Sequence, residues 1–121
     1  MEYFTVKQIS FDKEEGDLPN VYGWDGAIER SPKWKAKMAY MHFQADEGDV
    51  FNKDDLALYN DKYLVQAENL DEVFRLTNLW DDEDRIHCYE RGHSTSVGDI
   101  IENNRTGEQY IVAGFGFDKV A

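Results

Sequence analysis

The sequence predicts an α+β domain: a small, mainly antiparallel sheet with a C-terminal hairpin, covered by one or two helices. Three stretches carry that prediction. Ile100 and Ile101, the turn residues Asn103 to Gly107, and then Tyr110, Ile111 and Val112 read as two strands joined by a loop of about five residues. That loop length favours a bulge or a type I turn over a tight Asn-Gly turn. Near the start of the chain, Phe4, Val6, Ile9 and Phe11 alternate with polar neighbours after a one-residue shift near Lys7, which reads as a half-buried strand carrying a bulge. Between these, Leu70, Val73, Phe74 and Leu76 fall on one helical face behind Asn69, with Glu72 at capping-box spacing.

The remaining elements follow in order. Asp12 to Asn20 is rich in charge and ends near a proline, so it reads as a loop before Val21-Tyr22-Gly23-Trp24. Ser31-Pro32 has the form of an N-cap and a first-turn proline, and Trp34, Met38 and Met41 recur at helical spacing, which predicts a helix over about 32 to 43; Tyr40 to Phe43 also suits a strand. Ala45 to Asp49 is a loop, Asn52 to Tyr59 a short capped helix, and Tyr63 to Ala67 a middle strand. Gly114 and Gly116 alternate with Phe115 and Phe117, so two rings are expected to enter the core while the glycines admit another backbone. Phe74, Leu76, Ile100, Ile111, Val112, Phe115 and Phe117 are the expected core, and the Tyr and Trp residues read as core more readily than as a ligand cage.

Gly92-His93-Ser94-x-Ser96-Val97-x-Asp99-Ile100-Ile101, with the tyrosine-bearing strand and Phe115-Gly116-Phe117 after it, resembles the C-terminal motif of the YodL-like family of bacteria, mobile elements and phages. Leu70 to Asn78 resembles that family's short helix and Tyr3 to Ile9 its first strand. Thr95 stands where the family usually has an aliphatic residue, and Gly98 where it usually has serine. The likeness covers roughly residues 62 to 118 and is thin over 12 to 61. The family has no established biochemical activity, so the resemblance implies a fold and not a reaction.

At 121 residues the chain reads as one domain, and its 7 Phe, 7 Tyr and 3 Trp are too many large apolar groups for a disordered one. A lone Cys88 excludes an internal disulfide, and the absence of an apolar span or signal segment makes the cytoplasm the expected compartment, that of the host cell if a phage encodes the chain. A net charge of -12 argues against direct binding to nucleic acid or anionic membranes and favours a partner with a basic groove, although acidity also serves solubility. Arg30, Lys33, Lys35 and Lys37 form the one basic concentration, able to grip a phosphate or an acidic partner or to answer the protein's own carboxylates.

Two groups of side chains have catalytic or metal-binding chemistry. His93, Ser94, Ser96 and Asp99 supply the residue types of nucleophile, base and orienter, but a serine adjacent to its base rarely has the geometry for proton transfer, so these groups are expected to satisfy loop backbone. Asp81, Asp82, Asp84, His87, Cys88 and His93 include carboxylate, imidazole and thiol but match no strong zinc or calcium spacing. No cofactor fingerprint is present. The expectation is therefore a non-enzymatic accessory protein that binds a host macromolecule, with a small hydrolase or metal-dependent enzyme built on the His93 loop as the alternative. Asp46, Glu47, Asp49, Asp54 and Asp55, together with Asp81, Asp82, Glu83 and Asp84, could line a negative strip that imitates nucleic acid, if the fold brings them to one face without neutralising cations.

Overall fold

The computed structural model describes residues 1–121 and centres them on β1 (Glu2–Ile9). β2 (Tyr59–Ala67), β3 (Ile86–Cys88), β4 (Ile100–Asn103), β5 (Gln109–Val112) and β6 (Phe117–Lys119) join it in one sheet of order β3-β2-β1-β4-β5-β6, and every pairing is antiparallel. The helices are α1 (Lys13–Gly16), α2 (Leu18–Arg30), α3 (Pro32–Tyr40) and α4 (Leu70–Leu79), with 3-10 turns at Ala45–Glu47, Lys53–Leu58 and Glu83–Arg85. This is the expected α+β class with its C-terminal hairpin.

Side-chain alternation divides the core between the two faces of the sheet. Phe4, Val6, Tyr63, Val65, Ile101 and Val112 pack with Val73 and Leu76 of α4. Ile9, Tyr59, Ile100, Ile111 and Ala113 pack instead with Ala36 and Tyr40 of α3 and with Phe43. The shift in the apolar pattern of β1 is thus the strand passing from one half-core to the other. The register does shift between Val6 and Lys7, but the extra residue is on the partner strand: Val6 pairs with Tyr63 and Lys7 with Asp61, which leaves Lys62 between them. That bulge reverses the parity of β2, so Tyr59 and Tyr63 serve opposite faces.

Local chemistry explains most of the helix ends. Asn69 accepts from the Glu72 N–H at 2.9 Å, and the Glu72 carboxylate reaches back to the Glu68 N–H at 3.1 Å, one residue beyond the ordinary capping box. Ser31 Oγ accepts from the Trp34 N–H and donates to Glu15 at 2.5 Å, while the Trp34 indole donates to the Glu15 carbonyl at 2.6 Å. The first residues of α3 therefore hold α1 in place, and Phe11 stacks on Trp34 with ring centroids 4.1 Å apart.

The structure corrects several expectations. Asp12 to Asn20 is not a loop: Asp12 caps α1, and Pro19 sits in the first turn of α2, where its missing N–H is harmless. Gly23, with φ +74°, kinks α2 into two segments. The segment after Asn52 is a 3-10 helix, α3 ends at Tyr40, and Ile86–Cys88 adds an edge strand. Leu76, Ile100, Ile111 and Val112 are buried as expected and Phe117 is half-buried, but Phe74 lies on the flank of α4 at 37% exposure. Phe115 is not core either. It is 87% exposed at the β5–β6 turn, where Gly116 has φ +78° and the Gly114 N–H donates to the Phe43 carbonyl at 2.9 Å, so the close backbone approach holds without the second ring. The β4–β5 loop closes on Gly107, φ +76°, with the Asn103 side chain accepting from the Arg105 and Thr106 N–H groups.

Leu76→Ala removes a fully buried side chain and should lower the unfolding free energy by about 2–5 kcal/mol. Phe115→Ala should change it by no more than about 0.5 kcal/mol. Urea midpoints of the two variants check both, and comparable losses would place Phe115 in the core after all.

Candidate functional site

The segment from Tyr89 to Asp99 lies beside α4 on the same face of the sheet, over the part of that face that the helix does not cover, and side chains of β1 and β2 hold it there. Gln8 is fully buried. Its Oε1 accepts from the His93 N–H at 3.1 Å, while its Nε2 donates to the His93 carbonyl at 2.8 Å and to Asp99 Oδ2 at 3.0 Å. The amide thus pairs with the His93 backbone as a neighbouring strand would. The Tyr63 hydroxyl adds a bond to the same carbonyl at 3.2 Å. Lys62, the bulge residue, donates through Nζ to Glu90 at 2.6 Å and to the Arg91 carbonyl at 3.2 Å, and its own carbonyl accepts from the Tyr89 N–H. The Lys62 ammonium holds the Glu90 carboxyl below the usual carboxylate range.

Gly92 and Gly98 are required by close approach. A Cβ on Gly92 would lie 2.4 Å from Gln8 Oε1, and one on Gly98, φ +95°, would lie 2.8 Å from the Tyr40 carbonyl oxygen. Gly98 also offers its carbonyl to the Tyr59 hydroxyl at 2.6 Å. Thr95 is buried with its Oγ1 2.5 Å from Thr77 Oγ1. Thr77 uses its own proton on the Val73 carbonyl, so Thr95 is the donor between them. The buried Thr95 hydroxyl therefore has a matching hydroxyl on α4.

Asp99 closes the loop. Its Oδ2 accepts from the Ser96 N–H at 2.9 Å and from Gln8, and its N–H donates to the Ser96 carbonyl at 3.0 Å. Burial raises this carboxyl to about 6, against the pull of the Ser96 hydrogen bond and of His93, Gln8 and Lys37. His93 is half-exposed, with Nδ1 4.0 Å from Asp99 Oδ2 and 2.7 Å from the Ser94 carbonyl. Both Gln8 Nε2 protons are engaged elsewhere, so Nδ1 carries a proton toward Ser94 and Nε2 has no partner. Ser96 Oγ donates to the Ser94 carbonyl, and Ser94 Oγ bonds to nothing. Gly92, His93, Ser94, Ser96 and Asp99 are brought together, but no serine is bonded to the imidazole. The arrangement can order backbone and present polar groups at its rim. It is not aligned for nucleophilic attack.

The other candidates are dispersed. No three His, Cys, Asp or Glu side chains gather in a way that could hold a metal ion, and His87 and Cys88 are exposed on β3. Asp46, Glu47 and Asp54 are exposed, but Asp49 accepts from the Gln44 N–H and Asp55 from the Tyr40 hydroxyl. Asp81 pairs with Arg75 at 3.0 Å and Asp82 lies 3.9 Å from Arg85, while Glu83 and Asp84 are exposed. The first acidic group adjoins Tyr59, and the second is tied through Arg85 to the Gln66 carbonyl, so they lie at opposite ends of β2, roughly 23 Å apart at strand rise. The two acidic groups are therefore not contiguous, and Asp81 and Asp82 each have an arginine beside them. Gln8, Lys62, Tyr63 and Thr77 were not singled out in the sequence, although Gln8 at period two from Phe4 and Val6 is a polar residue at an inward position, which demands a partner.

Because Asp99 binds its proton more tightly folded than unfolded, the folded state holds more protons between about pH 4 and 6, and this group's contribution to stability falls as pH rises through that window. Asp99→Asn keeps an oxygen for Ser96 and Gln8 without the titration. Relative to the parent, the variant should gain on the order of 2 kcal/mol between pH 4 and pH 7 in denaturant unfolding. Parallel stability curves would show that Asp99 titrates as an ordinary carboxyl.

Compared with known family models, curated proteins and solved structures, the chain finds no match.

Proposed function

We propose that the protein is a non-enzymatic binding protein that acts by occupying the surface of another macromolecule, a host protein where a phage or mobile element carries the chain. The observation that carries this reading is the outer surface of α2. Val21, Tyr22 and Trp24 are 68%, 50% and 55% exposed, within four residues of one another around the Gly23 kink. Large side chains are ordinarily withdrawn from water, and a group of them left outside marks a contact surface. The expectation that the aromatics are core fails here for a reason of geometry: α2 packs mainly through Ala27, and the kink turns the neighbouring rings outward.

These rings are also held in place. The Arg30 guanidinium lies 3.8 Å from the Tyr22 ring centroid, and Trp24 meets Trp34 edge-on at 5.6 Å. Side chains already fixed lose little rotamer freedom on binding, and Trp, Tyr and Arg are the residues that most often dominate interface energies. The chain's net charge of -12 supports a partner of opposite overall charge, which a complementary field would orient and accelerate. No helix is long and apolar enough to cross a membrane. The use of the His93 loop to hold backbone supports a binding role over a catalytic one.

The test is a retention experiment with two baits. The parent protein should hold a partner from host lysate at low salt and release it as salt rises, and Trp24→Ala, checked for an unchanged melting temperature, should weaken that complex by roughly 30-fold or more. Retention of the same partner equally by both baits would remove α2 from the interface. Retention of none would count against the reading itself.

A further inference from the structure

On the other side of α3 from the 3-10 segment at Lys53–Leu58, a groove opens between that helix and the candidate loop. Lys37 and Met41 form one wall, and His93, Ser94, Ser96 and Val97 form the other. We infer that this groove is a binding site for a phosphate monoester, with Lys37, His93 and the loop hydroxyls taking the phosphate and Met41 and Val97 meeting the ester's apolar body.

The polar groups of the groove are under-used within the protein. The Lys37 ammonium has neither an ion pair nor a hydrogen bond, although seven other cations of this acidic chain, among them Lys7, Lys33 and Lys62, are paired with carboxylates. Ser94 Oγ and His93 Nε2 have no partner, and the Ser94 and Val97 N–H groups have no acceptor in the protein. An ammonium, an imidazole and a hydroxyl left free along one groove suit a dianion with several acceptor oxygens, because charge-assisted bonds to phosphate are stronger than bonds between neutral groups. The loop is preorganised: Gln8 fixes the His93 backbone, Asp99 fixes the turn, and neither has to move. Lys62 and Glu90 satisfy each other at 2.6 Å, so the flank of the loop toward β2 offers no comparable free cation beyond exposed Arg91. Met41 is 37% exposed and Val97 half-buried, which gives the site an apolar lip that a bare anion would not use.

Because Nδ1 is turned to the Ser94 carbonyl, Nε2 is the ring nitrogen left to face the dianion. The charged and titratable groups around that ring are Lys37 from α3, Asp99 beneath it, and Tyr63, Lys62, Glu90 and Arg91 on the β2 side.

Nuclear magnetic resonance on the full chain, titrated with inorganic phosphate and with adenosine monophosphate at constant ionic strength, tests the site. The His93 ring signals should shift saturably at millimolar concentrations, and the Met41 methyl signal should follow for the nucleotide. Lys37→Met should weaken binding by roughly tenfold, whereas Lys35→Met, on the opposite flank of α3, should change it by less than about twofold. Shifts reproduced by chloride, or equal effects of the two lysine variants, would overturn the site. Binding of a phosphoserine peptide without binding of phosphate or the nucleotide would overturn the small-ligand assignment.

Discussion

A primary amide buried on the face of a sheet has two protons and a carbonyl oxygen to satisfy, and leaving them unmet costs about 1–3 kcal/mol. Gln8 meets that demand with the backbone of a residue 85 positions away in the chain. Much of the loop chemistry follows from this pairing. Gly92 lacks a side chain because Gln8 Oε1 occupies the space where a Cβ would sit, and Asp99 shares the same amide nitrogen. The loop hangs from the central strand as if it were a seventh strand, with a side chain substituting for the ladder.

The Lys62 bulge supports the same arrangement from the neighbouring strand. By reversing the parity of β2 it directs Tyr63 toward the loop and α4, and Tyr59 toward α3 on the opposite face. The extra residue then projects its ammonium to Glu90 and the Arg91 carbonyl. A sheet of uniform parity would place both tyrosines on one face, so one of the two half-cores would lose an aromatic. The loop, the bulge and the two half-cores are parts of one solution to the burial of a polar side chain.

Much of the fold is legible in the sequence because period and capping are local. Asn69 with Glu72, Ser31 with Pro32, and the paired isoleucines of β4 each announce their element within a few residues. What the sequence conceals depends on distance. Pro19 carries the same first-turn signal as Pro32, but the surrounding charge and Gly23 favour a loop in any local reading. Ile86–Cys88 is too short to have a period and becomes a strand only because β2 offers an edge. Phe115 resembles Phe117 in pattern, yet the turn places one outside and the other against the core. The backbone-holding role of His93 and Asp99 is readable from their residue types, whereas their partners Gln8 and Lys62 and the facing Lys37 come from other parts of the chain.

The placement of β1 bears on how the molecule assembles. Its first neighbour begins at Tyr59 and its second at Ile100, so Phe4 pairs with Val65 on one side and Asn103 on the other. Contacts across such separations bring back their loop-closure entropy only late, and chains dominated by them fold slowly. An apolar strand made first therefore waits for the last hairpin before both of its edges are covered, and until then its unpaired N–H and C=O groups invite pairing with other chains. The native edges, β3 and β6, are three residues each, which leaves the finished sheet far less of that hazard than its own central strand presents on the way.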